Sequence, residues 1–285
     1  MSQFPLISVS ELKQLLAKDC EDILILDCSH DLVDAGLGQR EYEKAHLPGA
    51  VFVPMDEVMS GIKTGTNGRH PLPERQQVVD FMQSHGANDT TLVIVYDRSQ
   101  GLYASRVWWT LRWLGHADVK VLDGGLQAWQ AAGQAVSQDL PASKTRGNFS
   151  ERPSLASLVT FEDVMANLET RQRLVVDARA HDRFRGENET LDPVGGHIPG
   201  AVNRPFKFNL NEDGTFKDGA KLASEFADLV GSRRGNDLIM QCGSGVSACH
   251  NLLALVVAGM GDAPLYVGSW SEWCSRPGAP IARGD

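Results

Sequence analysis

The stretch D-L-I-M-Q-C-G-S-G-V-S-A-C-H, at Asp237–His250, predicts both a fold and a chemistry. Leu238–Met240 is a short apolar run, typical of a buried parallel strand. Cys242 follows that strand and precedes Gly-Ser-Gly, and an apolar helical pattern then covers Val246–Ala258. Such a turn directs backbone N–H groups and the positive end of the helix dipole at its occupant. We therefore expect Cys242 to be a thiolate nucleophile, the alternative being an ordinary buried cysteine.

The motifs of this chain occur twice, about 145–150 residues apart. His46–Val51, H-L-P-G-A-V, matches His197–Val202, H-I-P-G-A-V. The other matching pairs are apolar runs ending at Asp27 and Asp177, Val93–Tyr96 with Leu238–Gln241, and Gly124–Trp129 with Gly268–Trp273. The period is too long for a solenoid, so a domain has been duplicated. Strands that alternate with helices predict two α/β domains, each a mostly parallel sheet with helices on both faces.

The duplication also predicts where the chemistry lies. We expect domains at 1–138 and 157–285, joined by a linker at 139–156 that is rich in Pro, Ser, Lys and Asn and lacks periodicity. At the position of Cys242 the first domain carries Asp97, which cannot attack sulfur. The second domain is therefore the predicted catalytic one, and the first is expected to form a wall of its cleft.

Composition excludes several classes of function. The chain has 285 residues and a net charge of −9, which argues against nucleic acid or an anionic membrane surface as its main partner. It contains no apolar run near the ~20 residues of a membrane span, and its start lacks the features of a signal peptide. The cysteines are odd in number, which favours a location in the reducing cytoplasm. Their spacing is not that of metal ligands, so we expect no metal site. They are Cys20, Cys28, Cys242, Cys249 and Cys274.

The segment C-G-S-G-V-S-A-C-H from Cys242 resembles the active-site loop of the rhodanese-like sulfurtransferases, and it is very similar to the C-G-S-G-V-T loop of the 3-mercaptopyruvate type, with Ser247 in place of the threonine. A cysteine-dependent phosphatase would need an arginine where this chain has Ala248. The resemblance implies tandem rhodanese-like domains and transfer of a sulfane sulfur from 3-mercaptopyruvate, through a Cys242 persulfide, to cyanide or a thiol such as thioredoxin or a small thiol. It implies no cofactor. The alternatives are a thiosulfate sulfurtransferase and a non-catalytic persulfide carrier in a sulfur relay.

The resemblance also implies an arginine for the carboxylate of the donor. Arg183, in D-R-F-R-G, matches that residue, and its planar fork suits a carboxylate. Mercaptopyruvate enzymes usually carry a second arginine about nine residues later, but Glu187–Gly195 is shorter and has none. Arg185, or a basic residue of the first domain, is expected to replace this second arginine. Without that arginine the motif does not decide between 3-mercaptopyruvate and thiosulfate as the donor. Arg179 and Arg185 could instead pair with neighbouring acids, namely Asp177, Asp182 and Glu187.

The resemblance further implies that Ser244 belongs to a Ser–His–Asp relay with His70 and Asp56, which the first domain would contribute. Such a relay could protonate the pyruvate enolate or help to ionise Cys242. The alternatives are a turn-capping serine and an exposed histidine. The N–H groups expected to hold the persulfide belong to the loop residues Gly243, Gly245, Val246 and Ser247.

Several paired residues are interpreted as structural because they occur in both copies, including the one without a nucleophile. They are His46 and His197, Asp27 and Asp177, and Trp129 and Trp273. Cys249 lies about two helical turns after Cys242, so we expect it to be a core thiol.

Overall fold

The structure, a computed structural model, describes residues 4–18 and 22–285 and forms two compact units. The first unit contains the described residues up to Gly61, with Pro73–Leu155 and Glu212–Phe216. The second contains Ile62–Leu72, Ala156–Asn211 and Lys217–Asp285. Cys20 lies outside the described residues.

In the first unit, short helices connect the strands of one parallel sheet. Its elements are β1 (Leu6–Ile7), α1 (Val9–Leu16), β2 (Ile23–Asp27), α2 (Leu37–Lys44), β3 (Val51–Phe52), α3 (Met55–Val58), α4 (Arg75–Ser84), β4 (Leu92–Tyr96), α5 (Ala104–Trp113), β5 (Val119–Leu122) and α6 (Gly125–Ala131). The strand order is β1-β5-β4-β2-β3, and all of these pairs are parallel.

The second unit repeats this arrangement. Its elements are β6 (Leu158–Val159), α7 (Phe161–Thr170), β7 (Leu174–Asp177), α8 (His181–Arg185), β8 (Val202–Asn203), a 3₁₀ turn (Phe206–Asn209), α9 (Gly219–Val230), a second 3₁₀ turn (Gly235–Asp237), β9 (Leu238–Gln241), α10 (Ser247–Val257), β10 (Leu265–Tyr266) and α11 (Ser269–Trp273). The order β6-β10-β9-β7-β8 is that of the first sheet, and its pairs are also parallel.

The shared strand order confirms the predicted duplication and the α/β class. Connections between parallel strands are almost always right-handed, so connections that run in opposite directions along a sheet place helices on opposite faces. In each unit the strand before the nucleophile position, β4 or β9, has a neighbour on both sides. Its carboxyl end is therefore central in the sheet, where open α/β folds bind their ligands.

The two cores contain corresponding residues. The first packs around Ile25, Leu47, Ile94 and Trp129, and the second around Val175, Ile198, Ile239 and Trp273. Both tryptophans donate from Nε1 to a backbone carbonyl six or seven residues later, that of Ala135 or Pro280. These contacts agree with the structural interpretation of the tryptophans.

The strands begin and end close to where the sequence predicts, but the helices between them were predicted less well. Capping boxes at Ser8–Glu11 and Thr160–Asp163 open α1 and α7. Between β2 and His46 the sequence has no clear helical pattern, but the structure has α2 there. Only Gly38 and Tyr42 are buried in α2, so its apolar period was too weak to indicate a helix. The chain from 139 to Leu155 belongs to the first unit, and Phe149 is buried there.

Candidate active site

The turn after β9 is fixed by the start of α11. The Cys242 N–H donates to Ser269 Oγ at 3.1 Å, and the Cys242 carbonyl accepts from Trp270 N–H at 2.9 Å. The Gly243 carbonyl accepts from Ser271 N–H at 3.0 Å. Ser269 has a φ of 53°, in the left-handed region that few non-glycine residues adopt. Sequence analysis missed Ser269 as a support of the turn, although its G-S-W-S-E-W segment had been matched to the first copy.

The corresponding turn of the first unit binds an anion of its own. The Asp97 carboxylate is fully buried and accepts four backbone N–H groups at 2.7–2.9 Å, from Ser99, Gly101, Tyr103 and Ala104. Burial raises the pKa of Asp97 above its ordinary value, although these four donors oppose the shift. In the first unit the strand–turn–helix therefore binds a carboxylate through its backbone donors, and the second unit has Cys242 at the matching position.

Ser244 lies against His70 inside the second unit. Ser244 Oγ and His70 Nδ1 are 2.8 Å apart, and both residues are buried. The sequence assigned His70 to the first domain, but its segment, Ile62–Leu72, belongs to the second unit. Asp56 lies in α3 of the first unit, where its carboxylate is 3.9 Å from His30 Nε2. The third member of the relay therefore stays a prediction.

Arg183, on α8, reaches the loop that carries Cys242. It donates from Nε and Nη2 to the Glu189 carboxylate at 2.8–3.1 Å, and its Nη2 lies 3.3 Å from Asp192 Oδ2. An ideal Cβ placed on Gly243 would lie 3.5 and 3.6 Å from the two terminal nitrogens of Arg183. A cation is thus held directly beside the residue after Cys242.

Arg69 is a second cation at the same point, and sequence analysis did not name it. Its Nη2 would lie 2.8 Å from the same ideal Cβ on Gly243, and its Nη1 contacts Asp192 Oδ1. Its backbone N–H donates to Ser271 Oγ at 3.0 Å. The available signal was its position next to His70, in G-R-H-P-L-P.

Two buried acids hold these arginines. The Glu189 and Asp192 side chains are only 4% and 3% exposed. Burial works against the ionisation of Glu189, but hydrogen bonds from Arg183 and from two backbone N–H groups outweigh it, so the pKa of Glu189 lies below its ordinary value. For Asp192, burial dominates over the ion pair with Arg69 and raises the pKa. Both acids belong to Glu187–Gly195, the segment that lacks the expected second arginine.

The other two arginines of this region form the ion pairs that the sequence offered as alternatives. Arg179 is buried, donates to the Asp177 carboxylate at 2.7–3.1 Å and lies over the Trp270 ring at 4.6 Å. Arg185 is more exposed and pairs with Glu187 at 2.9 Å. The predicted role of Arg185 in donor binding stays a prediction.

The remaining loop residues lie at the start of α10. Gly245 has a φ of 77°, which favours glycine, Val246 is the N-cap residue, and Ser247 opens the helix. Cys249 is buried, with Sγ 3.2 Å from the Gly245 carbonyl oxygen, as expected of a core thiol. The binding roles of Gly243, Gly245, Val246 and Ser247 stay predictions.

Two other cysteines are poorly suited to act as nucleophiles. Burial raises the pKa of Cys28 well above its ordinary value. It also raises the pKa of Cys274 to about 11. Both are therefore thiols at neutral pH, and the thiolate is the reactive form of cysteine.

Each motif histidine connects its loop to a segment that follows the last helix of its sheet. His46 contacts the Tyr42 carbonyl at 2.7 Å and the Asp139 carbonyl at 3.0 Å, and it forms an antiparallel bridge with Ser137. His197 contacts the Phe184 carbonyl at 3.0 Å and bridges to Ala282. These equivalent contacts agree with a structural role for both.

Comparison with known proteins gives matches over nearly the whole chain. The model of the rhodanese-like domain matches residues 8–132 and again 160–276. A Pseudomonas aeruginosa protein named a probable 3-mercaptopyruvate sulfurtransferase is 42% identical over 100% of both chains. Mouse thiosulfate sulfurtransferase is 35% identical over 91% of this chain and 88% of its own. A crystal structure of SseA from Escherichia coli, described under 3-mercaptopyruvate sulfotransferases, superposes with a TM-score of 0.80 at 29% identity, covering 94% of this chain and 99% of that one. Within the described residues, no helix is long and apolar enough to cross a membrane.

Proposed function

Because this chain belongs to the rhodanese-like family, we propose that it transfers sulfur from 3-mercaptopyruvate through a persulfide on Cys242. Its family and its class, the sulfurtransferases, were predicted from the sequence and are confirmed by the matches above. The choice of donor is the proposal. In the first half-reaction the Cys242 thiolate attacks the donor sulfur. The carbon–sulfur bond breaks, and its electron pair leaves with carbon as the enolate of pyruvate.

The contact between Ser244 and His70 is the observation that supports 3-mercaptopyruvate as the donor. The enolate must take up a proton to become pyruvate, so the donor requires an acid close to the nucleophile. Ser244 Oγ is two residues from Cys242 and 2.8 Å from a buried histidine that could supply that proton. Sulfite, the product of thiosulfate, leaves as a stable anion and needs none. Asp56 would orient His70.

In the second half-reaction a thiol or cyanide takes the outer sulfur. The acceptor attacks that sulfur, the sulfur–sulfur bond breaks, and its electron pair returns to Cys242 as the thiolate. A thiol acceptor becomes a persulfide, and cyanide becomes thiocyanate. We propose reduced thioredoxin or a small thiol as the acceptor, and a cytoplasmic location stays a prediction from the cysteine pattern.

Thiosulfate is the second candidate donor, and one observation favours it. Thiosulfate is a dianion, and the guanidinium groups of Arg69 and Arg183 both lie beside Gly243. A dianion can pair with both of these cations, whereas a single carboxylate needs only one. The mouse relative is named for this activity.

The donor is tested by comparing kcat/KM for 3-mercaptopyruvate and thiosulfate with the same thiol acceptor. We expect 3-mercaptopyruvate to be the better donor, and a preference for thiosulfate would overturn the proposal. Mass spectrometry of Cys242 after exposure to each donor separates an enzyme from a carrier. A carrier would gain one sulfur atom on Cys242 but would not turn over with either donor.

A further inference from the structure

A cavity of about 330 Å³ lies at the edge of the second sheet opposite Cys242. Its lining includes Leu174, the first residue of β7. β7 runs parallel to β9 with Asp177 opposite Gln241, so both strands end at the edge where the turn of Cys242 begins. Leu174 is three residues before Asp177, which is about 10 Å at the usual rise of a strand. The cavity is therefore separate from the candidate active site.

Three arginines line this cavity, and no acidic residue does. They are Arg171 and Arg173, between α7 and β7, and Arg233, which follows α9. Among the residues that the structure describes, none of these three forms an ion pair, whereas Arg204 and Arg276 of the same unit do. The protein has a net charge of −9, so this group of unpaired cations runs against its overall balance. Positive charge concentrated at one concave place attracts anions.

Asn167, on α7, fixes the backbone of the first two arginines. Its side chain accepts from the Arg173 N–H at 2.9 Å and donates to the Arg173 carbonyl at 2.8 Å. Its own carbonyl accepts from the Arg171 N–H at 2.8 Å. Arg171 has a φ of 50°, in the left-handed region where glycine or asparagine is usual at the end of a helix. A long charged side chain therefore stands at a position that favours glycine.

The first unit has a cavity at the equivalent place without this charge. It measures about 420 Å³ and is lined by Leu24 and Gly49, which match Leu174 and Gly200 in the lining of the other. The rest of its lining combines aromatic and apolar side chains with a lysine and the oppositely charged Glu43. The cavity thus belongs to the shared fold, but the three arginines are specific to the second copy.

We propose that this three-arginine cavity binds the phosphate group of a small phosphate monoester. Such a group carries nearly two negative charges at neutral pH and has three terminal oxygens, so it can pair with more than one planar guanidinium group. A carboxylate offers one charge and two oxygens. Small-molecule sites usually measure about 300–1,000 Å³, so the cavity has room for a short organic group beside the phosphate. The site lies beyond the proposed function and does not depend on the sulfur donor.

Calorimetric titration of the full-length protein with glycerol 3-phosphate, inorganic phosphate and citrate, at constant ionic strength, tests the site. Arg171→Asn, Arg173→Gln and Arg233→Gln each remove one charge, and asparagine suits the left-handed backbone. Arg234→Gln is the matched control, because Arg234 is exposed and follows Arg233 but does not line the cavity. Arg183→Gln shows whether the anions bind at the candidate active site instead. Circular dichroism checks the fold of each variant.

We expect the wild type to bind glycerol 3-phosphate more tightly than citrate. Each cavity variant should raise the Kd for glycerol 3-phosphate about tenfold, the lower end of the effect of a hydrogen bond to a charged group. Arg234→Gln and Arg183→Gln should leave this Kd unchanged. If inorganic phosphate binds more tightly than the monoester, the phosphate site stands and the free ion is its ligand.

Four results would overturn the inference. One is the absence of measurable binding of either phosphate to the wild type. Another is an unchanged Kd in folded Arg173→Gln and Arg233→Gln, even with a lower midpoint of thermal unfolding, because the arginines would then only stabilise the ends of α7 and α9. A Kd that rises in Arg183→Gln alone would place the phosphate at the candidate active site. Tighter binding of citrate than of either phosphate would make the cavity a site for carboxylates.

Discussion

At the scale of single residues, Cys242 is the nucleophile of the first proposed half-reaction and carries the sulfur into the second. We expect Cys242→Ser to abolish turnover and the persulfide, because a serine hydroxyl is a far weaker nucleophile than a thiolate. The variant should fold, since serine is nearly the same size and the backbone contacts of residue 242 to Ser269 and Trp270 are unaffected. Sulfur transfer, circular dichroism and peptide mass spectrometry provide the three measurements. A persulfide carried by Cys20, Cys28, Cys249 or Cys274 instead would refute the assignment.

Ser244 and His70 should act as one unit. We expect Ser244→Ala and His70→Asn each to lower kcat with 3-mercaptopyruvate by about 10²–10⁴-fold, the usual contribution of general acid catalysis. The double variant should be little worse than the poorer single one, because either change breaks the same 2.8 Å contact. Rate constants of the four proteins complete a double-mutant cycle. Losses that simply multiply would mean that the two residues work independently.

At the scale of the elements, the turn after β9 places Gly243 against the end of the Arg69 side chain. The φ of Gly243 is not among the positive values, so alanine suits the backbone, but the new methyl group would lie 2.8 Å from Arg69 Nη2. We expect Gly243→Ala to displace the Arg69 side chain, which is the more yielding partner, and to lower kcat/KM for the donor with little loss of stability. Donor kinetics and thermal unfolding measure the two effects. Gly245→Ala is the contrasting variant, because its φ of 77° makes alanine strained there and should lower stability as well. Wild-type kinetics in Gly243→Ala would show that the placement of Arg69 does not matter.

The same turn marks how far sequence reasoning extends. The strand, the glycines and the helix start are local signals, and the structure has β9, the turn and α10 where they were expected. For Arg69 the only local signal was its neighbour His70, because its position beside Gly243 depends on a contact with Asp192, 123 positions away in the chain. Ser269 is similar, since its support of Cys242 depends on an unusual backbone conformation that composition does not reveal. Contacts between distant segments therefore account for most of what the sequence did not predict.

At the scale of the whole molecule, the duplicated turn has a buried carboxylate, Asp97, in one copy and the proposed nucleophile, Cys242, in the other. The first copy fills its turn permanently with the Asp97 carboxylate, so we expect Asp97→Ala to leave four buried N–H donors unpaired. Each unpaired buried donor costs about 1–3 kcal/mol, so the free energy of unfolding should fall by at least ~3 kcal/mol. Urea unfolding followed by circular dichroism is the measurement, and Asp80→Ala, at an exposed ion pair, should change little. Unchanged stability in Asp97→Ala would mean that the turn does not need an anion.

Ile62–Leu72 belongs to the second unit, although the chain on either side of it belongs to the first. This segment carries Arg69 and His70, while Cys242, Ser244 and Arg183 lie beyond residue 156. A protease cut or a gene split between the copies would therefore leave the nucleophile on one fragment and two of its neighbours on the other. Duplication usually creates modules that can later separate. Here Ile62–Leu72 makes the second copy depend on a segment that lies within the first, so neither copy alone contains all of these residues.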